Sequence, residues 1–197
     1  MTSSEIGVST SEATPSPTVI SSSDALSSSV VLSSTAASSS AAPPPAPTIG
    51  NPGFDDTLRG TPPTPWVTVG GQVGNDAVFW KRSPANIIYF RGAGSVTQNI
   101  DNLDLTKRYR VVFYYVKFDT PIASRVCTLT ATIGGQQIFT ITFSAPRTPN
   151  NVFEQAISST FVPPSASAPL RIGTDCPAGT TSRSYLDDVS IEEVTAD

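Results

Sequence analysis

The strongest signal in this chain is alternation with period two. In Cys127–Ser144, CTLTATIGGQQIFTITFS, apolar and hydroxyl residues alternate, stop at Gly134–Gly135, and resume. That pattern predicts a β-hairpin with a Gly-Gly turn. On its first arm Cys127, Leu129, Ala131 and Ile133 share one face, and Thr128, Thr130 and Thr132 share the other. On the second arm Ile138, Ile141 and Phe143 do not keep one parity, which predicts a bulge or register change there. The run YRVVFYYVKF at Tyr109–Phe118 is apolar on both faces and β-branched or aromatic almost throughout, as expected of a central strand. Further strands are expected at Ala77–Lys81, Ile87–Arg91, Val96–Ile100, Val152–Ser159, Leu170–Gly173 and Ser184–Glu192, with prolines falling between the runs. No segment sustains a 3.6-residue period. The expected fold is all-β, an antiparallel sandwich or barrel of many short strands.

Composition divides the chain near residue 48. Residues 1–48 are nearly half Ser and Thr, with three acids, no Lys or Arg and no aromatic residue. Such a segment buries too little apolar surface to offset its chain entropy. It reads as a disordered linker of the Ser/Thr/Pro stalk type, open to O-glycosylation, with an unglycosylated tail as the alternative. Residues 49–197 carry the aromatics and every Lys and Arg, and form one domain's worth of chain. A net charge of −4 argues against nucleic acid as a partner. No apolar run approaches the roughly 20 residues that cross a bilayer. Met1 opens into polar sequence without a basic or apolar leader region, whereas a Ser/Thr/Pro stalk suits an extracellular or cell-wall protein. The expectation is an extracellular monomer whose sequence here is a fragment, with unconventional export or an intracellular location as alternatives.

The chemistry present narrows the function. There is no histidine, which excludes Ser-His-Asp and Cys-His catalysis. RGAGS is a Gly pair before a strand with no helix behind it, so it is no phosphate loop. Glu154, Glu192 and Glu193 are the candidates for a glycosidase pair, but a domain this small leaves little room for a cleft with two poised acids. Two cysteines, Cys127 in a strand pattern and Cys176 in the loop RIGTDCPAG, are too distant in sequence for a metal knuckle. They form either a disulfide or two buried thiols.

Several markers, taken in order, resemble the carbohydrate-binding modules of the CBM-cenC type, which have a galactose-binding-like jelly-roll fold. NPGFDD followed by Pro65–Trp66 resembles the opening of that family, with Trp66 in the place of a buried first-strand tryptophan. GSVTQNIDNL at Gly94–Leu103 followed by YRVVFYY resembles its core, and YLDDVSI at Tyr185–Ile191 its closing strand. The Ser/Thr-rich stalk is similar to that of secreted fungal proteins carrying this module. The resemblance implies a structural calcium ion joining the first and last strands, held here by Asp55 and Asp187 with Asp188 beside them. Clustered carboxylates and carbonyls are the right donors for that ion. The sequence departs from the family pattern at Asp55, where Glu is the commoner residue. In the alternative, Asp187 and Asp188 cap a sheet edge or pair with Arg59, Arg183 or Lys81.

The resemblance further implies non-catalytic polysaccharide binding. With Val111, Phe113 and Tyr115 facing the core, alternation turns Arg110, Val112, Tyr114 and Val116 to the other face. Tyr114 and Arg110 are then the leading carbohydrate-binding candidates, with Thr128 and Thr130 flanking them and Trp80 and Tyr89 joining from earlier strands. Core packing is the alternative for each aromatic. Val112 and Val116 beside Tyr114 warn that this face is covered. The other functions that fit are a cell-wall or adhesion module without sugar affinity and the appended module of a glycoside hydrolase.

Overall fold

In a computed structural model, residues 42–74, 82–83, 86–117, 126–144, 152–178 and 183–195 are described. The expected strand Ala77–Lys81, with Trp80, and nearly all of the expected linker lie outside them. The described residues form eight antiparallel strands and no helix. They are β1 (Val67–Gly74), β2 (Ile87–Ile100), β3 (Arg108–Lys117), β4 (Val126–Ile133), β5 (Gln136–Ser144), β6 (Glu154–Ile157), β7 (Ala168–Asp175) and β8 (Arg183–Val194).

The hydrogen-bonded order β5-β4-β7-β2-β8-β3-β6 folds into two layers because β2 serves both. Its first half, Ile88–Arg91, pairs with β8, and its second half, Gly94–Ile100, pairs with β7. β1 follows it, pairing with Phe90 on one side of a register shift and with Ser95 on the other. The corner is made by glycine. Gly70 and Gly92 take left-handed φ values of 67° and 75°. A Cβ on Gly94 would stand 2.7 Å from the Phe90 ring and 2.9 Å from the Val69 carbonyl. Only a residue without a side chain lets the two strands bend together here. One layer is therefore β5-β4-β7 with the end of β2, and the other is β6-β3-β8 with its start.

The core lies between the layers. Leu129, Ala131 and Ile133 of β4, Leu170 and Ile172 of β7, Val96 and Ile100 of β2, and Val111 and Phe113 of β3 are all buried in it. Thr128, Thr130 and Thr132 are half-buried on the opposite face, as the alternation requires. The broken parity of the second hairpin arm is a bulge: Ala131 pairs with Phe139 but Thr132 with Gln137, leaving Ile138 as the extra residue. Trp66 is buried, donates its indole N–H to the Asn51 carbonyl at 3.1 Å, and packs on Phe54 at 5.6 Å.

Three expectations need correction. The segment from Asn51 to Pro65 is a series of turns, not a strand, with left-handed φ at Asn51 and Phe54. Ile87–Arg91 and Val96–Ile100 are one strand, because the intervening glycines bend the chain without stopping the ladder. Pro169 lies inside β7, where its position next to the strand start tolerates the missing N–H.

Cys127 and Cys176 form a disulfide across 49 residues of chain. It ties β4 to the segment that follows β7. Closing a loop of that size constrains the unfolded chain by about 4 kcal/mol on the chain-entropy account. Reduction, or Cys127→Ser with Cys176→Ser, is expected to lower unfolding free energy by about 2–4 kcal/mol, read from urea curves with and without reductant. A curve that does not move contradicts the bridge.

Candidate functional site

The two layers expose two separate outer faces, and the candidate residues divide between them. Tyr114, Arg110 and Tyr89 lie on the outer face of the β3–β8 layer, beside Asp187. Thr128 and Thr130 lie on the outer face of the β4–β7 layer. They do not flank Tyr114, because β3 and β4 belong to opposite layers.

On the β3–β8 face the aromatic surface is covered. The Arg82 guanidinium lies 3.3 Å from the centre of the Tyr114 ring, a cation–π contact. The same guanidinium pairs with Asp188 at 2.8 Å. Gln155 donates to the Tyr114 hydroxyl at 2.9 Å. Arg110 pairs with Glu192 at 2.7 Å. Tyr89 bonds Gln72 and approaches Tyr185, ring centres 6.3 Å apart, over a small second cluster of Ile87, Val116 and Tyr185. Val112 and Val116 are buried, so this face is covered around Tyr114.

The paired acids of the last strand have a specific local cause. Val112 pairs with Ser190 but Tyr114 with Asp187, so β8 carries an extra residue, and Asp188 takes a left-handed φ of 46°. Aspartate tolerates that conformation better than most residues. The bulge lets Leu186 and Val189 both face the core while Asp187 turns to the outer face. Asp187 is fully buried there. It accepts bonds from the Ser83 N–H at 3.3 Å, the Ser83 hydroxyl at 3.1 Å and the Asp188 N–H at 2.9 Å. The partners of the pair are thus Ser83 and Arg82; neither Arg59 nor Arg183 is within ion-pair distance of either acid, and Lys81 lies outside the described residues. Burial, and next the Asp188 carboxylate, push the Asp187 carboxyl up to about 6, against the opposing Ser83 and Asp188 bonds.

Asp55 is brought to the same place. The Val189 N–H donates to the Pro52 carbonyl at 3.0 Å, tying the opening turns to the last strand. Asp55 accepts from the Asn86 N–H at 2.9 Å. A Cβ on Gly53 would lie 2.8 Å from the Ser83 hydroxyl, 2.9 Å from Asp55 Oδ2 and 3.3 Å from Asp188 Oδ1. Glycine leaves open a cradle of three hard oxygens, which suits calcium in kind. No three His, Cys, Asp or Glu side chains converge on one point among the described residues. An ion here would draw its remaining ligands from carbonyls and water.

The β4–β7 face is different. Thr128 pairs with Thr142 and Asp175, Thr130 with Thr140 and Gly173, and Thr132 with Arg171. Across β7, Gly173 pairs with Ser95 and Arg171 with Thr97. These residues share one outward face, which is a lattice of hydroxyls. A Cβ on Gly173 would stand 2.6 Å from Ser95 Cβ and 2.7 Å from the Gly94 carbonyl, so the glycine lets β2 and the Ser95 side chain pack close against β7 beside the threonines. The result is a groove of about 500 Å³ lined by Thr128, Thr130, Ser95, Arg171 and Asp175, with Val69 along one rim. Val69 is 66% exposed. Arg171 and Asp175 stand four residues apart on β7, about 13 Å along the strand, and neither makes an ion pair among the described residues. Sequence reasoning found Thr128 and Thr130 but missed Ser95, Arg171, Gly173 and Asp175. Their shared parity on neighbouring strands was the available signal, and it needs the β2–β7 register to be read.

No family model and no curated protein sequence matches the chain. Among solved structures, TmCBM61 in complex with β-1,4-galactotriose superposes with a TM-score of 0.56 at 12% identity, covering 76% of this chain and 100% of that one. The Stig cyclase Fisc from Fischerella sp. TAU gives 0.54 at 14% identity, over 77% and 99%. The arabinose-bound MgGH51 α-L-arabinofuranosidase gives 0.53 at 16%, over 77% of this chain and 27% of that one. At these identities the likeness shows the fold, an antiparallel β-sandwich carried by a carbohydrate-binding module and by enzymes alike.

The raised Asp187 carboxyl sets a pH dependence. Well below pH 4 the group is protonated in folded and unfolded chains alike and costs nothing. As pH rises towards 6 the unfolded chain ionises first, so stability falls, by roughly 2–3 kcal/mol in total. In chelator, the wild-type melting midpoint is therefore expected to gain on that of Asp187→Asn as pH falls from 7 to 4.5. A gap independent of pH contradicts the assignment.

Proposed function

We propose that the chain is a non-catalytic glycan-binding module, and that the groove on the β4–β7 face is where a sugar chain docks. The observation that carries the proposal is the hydroxyl lattice around Gly173. Hydroxyls donate and accept, as sugar hydroxyls do, and the Val69 rim offers an apolar edge to the C–H face of a pyranose. The length between Arg171 and Asp175 suits a short oligosaccharide lying along β7. Among the described residues Asp175 is the one carboxylate lining the groove, whereas hydrolysis requires two, and the other candidates are engaged elsewhere: Glu192 with Arg110, Glu193 with Lys107 and Glu154 with the Tyr115 hydroxyl. The disulfide accords with an oxidising, extracellular setting, and the Ser/Thr-rich N-terminal segment with a tether to a cell wall or a larger protein. The CBM-cenC type is the finer assignment that the quoted motifs favour.

A second reading, a structural module of the cell wall without sugar affinity, is favoured by one observation. The best aromatic platform, Tyr114, is covered by Arg82. The two readings separate in a polysaccharide pull-down and glycan array with the whole chain. Thr128→Val with Thr130→Val keeps the shape and removes two hydroxyls. It is expected to weaken binding about fivefold to tenfold per hydrogen bond lost, whereas Tyr114→Ala leaves binding unchanged. No binder on the array favours the structural module. Loss on Tyr114→Ala alone moves the site to the other layer.

The proposal includes a calcium ion at Asp55 and Asp188, with Asp187 holding the bulge behind them. A bound ion raises the melting midpoint by mass action. Midpoints that are equal with calcium and with chelator contradict a tight site.

A further inference from the structure

A second, independent feature lies on the β3–β8 face, at the end away from Arg110. Arg91 of β2 and Arg183 of β8 are directly opposed in the antiparallel register, one step beyond the opposed pair Tyr89 and Tyr185. Phe90 and Leu186 point into the core, so Arg91 and Arg183 project outward together. Cβ atoms of opposed residues stand about 4.5–5.5 Å apart, and like charges so placed repel. On the same layer Arg82 is paired with Asp188, Lys107 with Glu193 and Arg110 with Glu192, while Arg108 at the start of β3 has no acid partner among the described residues but also no cation opposite it, since it faces Val194. Neither Arg91 nor Arg183 has an acid within ion-pair distance among the described residues. Arg91 is exposed and Arg183 half-buried, so the second charge has also lost part of its water.

Two uncompensated guanidinium groups side by side form a clasp for an anion. Planar, multiply donating groups match a carboxylate or sulfate oxygen pair better than a lysine does. Half-buried Tyr89 lies next to them and gives an aromatic edge against which a sugar ring can rest. We infer that Arg91 and Arg183 bind the anionic group of an acidic polysaccharide, a uronate carboxylate or a sulfate ester, at a site separate from the threonine groove. Because the whole chain is acidic, this recognition is local and depends on the pair itself.

The test is affinity electrophoresis of the full chain at low ionic strength through gels holding polygalacturonate, its fully methyl-esterified form, dextran sulfate, dextran, polyglutamate or neutral β-1,4-galactan. Polygalacturonate is expected to retard the protein, and its methyl ester is not. Arg91→Gln with Arg183→Gln is expected to weaken that retardation at least about tenfold while leaving any neutral-galactan binding unchanged. The neutral arm separates failure here from failure of the groove. Retardation by dextran sulfate but not polygalacturonate supports the clasp and assigns it to sulfate esters. Removing like charges should leave the variant's melting midpoint at or above the wild-type value. Retention of binding by the double variant, no response to any acidic glycan, equal retardation by polyglutamate, or a lowered midpoint each overturns the inference.

Discussion

The bend that β1 and β2 make together at Gly70 and Gly92–Gly94 is the constraint on which the rest depends. A single long strand supplies hydrogen bonds to both layers only if it turns a corner, and the contacts around Gly94 leave no room for a side chain there. Once that corner is set, β7 follows the second half of β2 and β8 the first. The opposition of the two layers, the enclosed core and the separation of the two outer faces all follow. A straight β2 would place Thr130 and Tyr114 on one continuous sheet.

The two faces then have contrasting chemistry. One is closed around Tyr114 and Asp187 by contacts among its own side chains. Arg82 reaches both Tyr114 and Asp188, Ser83 satisfies Asp187, and the opening turns are tied to β8 through Pro52 and Val189. These contacts join segments from the two ends of the domain, and the β8 bulge at Asp188 makes them possible. The other face is open and polar, and among the described residues neither Arg171 nor Asp175 makes an ion pair. An open lattice of hydroxyls on a rigid, disulfide-tied scaffold is pre-organised for ligand hydroxyls, since little ordering remains to be done on binding.

Local features were legible in the sequence. The hairpin, its turn, the bulge at Ile138 and the central β3 strand follow from period-two alternation, and Trp66 was recognisable as a core residue. β1 was not legible, because VTVGGQVG has too few large apolar residues to stand out from a glycine-rich loop. The continuity of β2 was hidden by its own glycines, which read as an interruption. The site suffered most, since it depends on non-local register. Parity along β4 identified Thr128 and Thr130, but only the pairing with β7 and β2 brings Arg171, Asp175 and Ser95 beside them. The partner of Asp188 could not be read either: Arg82 lies far away in sequence and no pattern marks it.

The central claim is that a sugar chain lies along β7 on the threonine-lined face. Its most direct test is amide chemical-shift mapping during titration with an oligosaccharide that the chain binds. The account predicts shifts concentrated at Thr128–Thr132, Arg171–Asp175 and Ser95–Thr97, with β3 unmoved. Shifts concentrated at Tyr114 and its neighbours on β3 and β8 would contradict it.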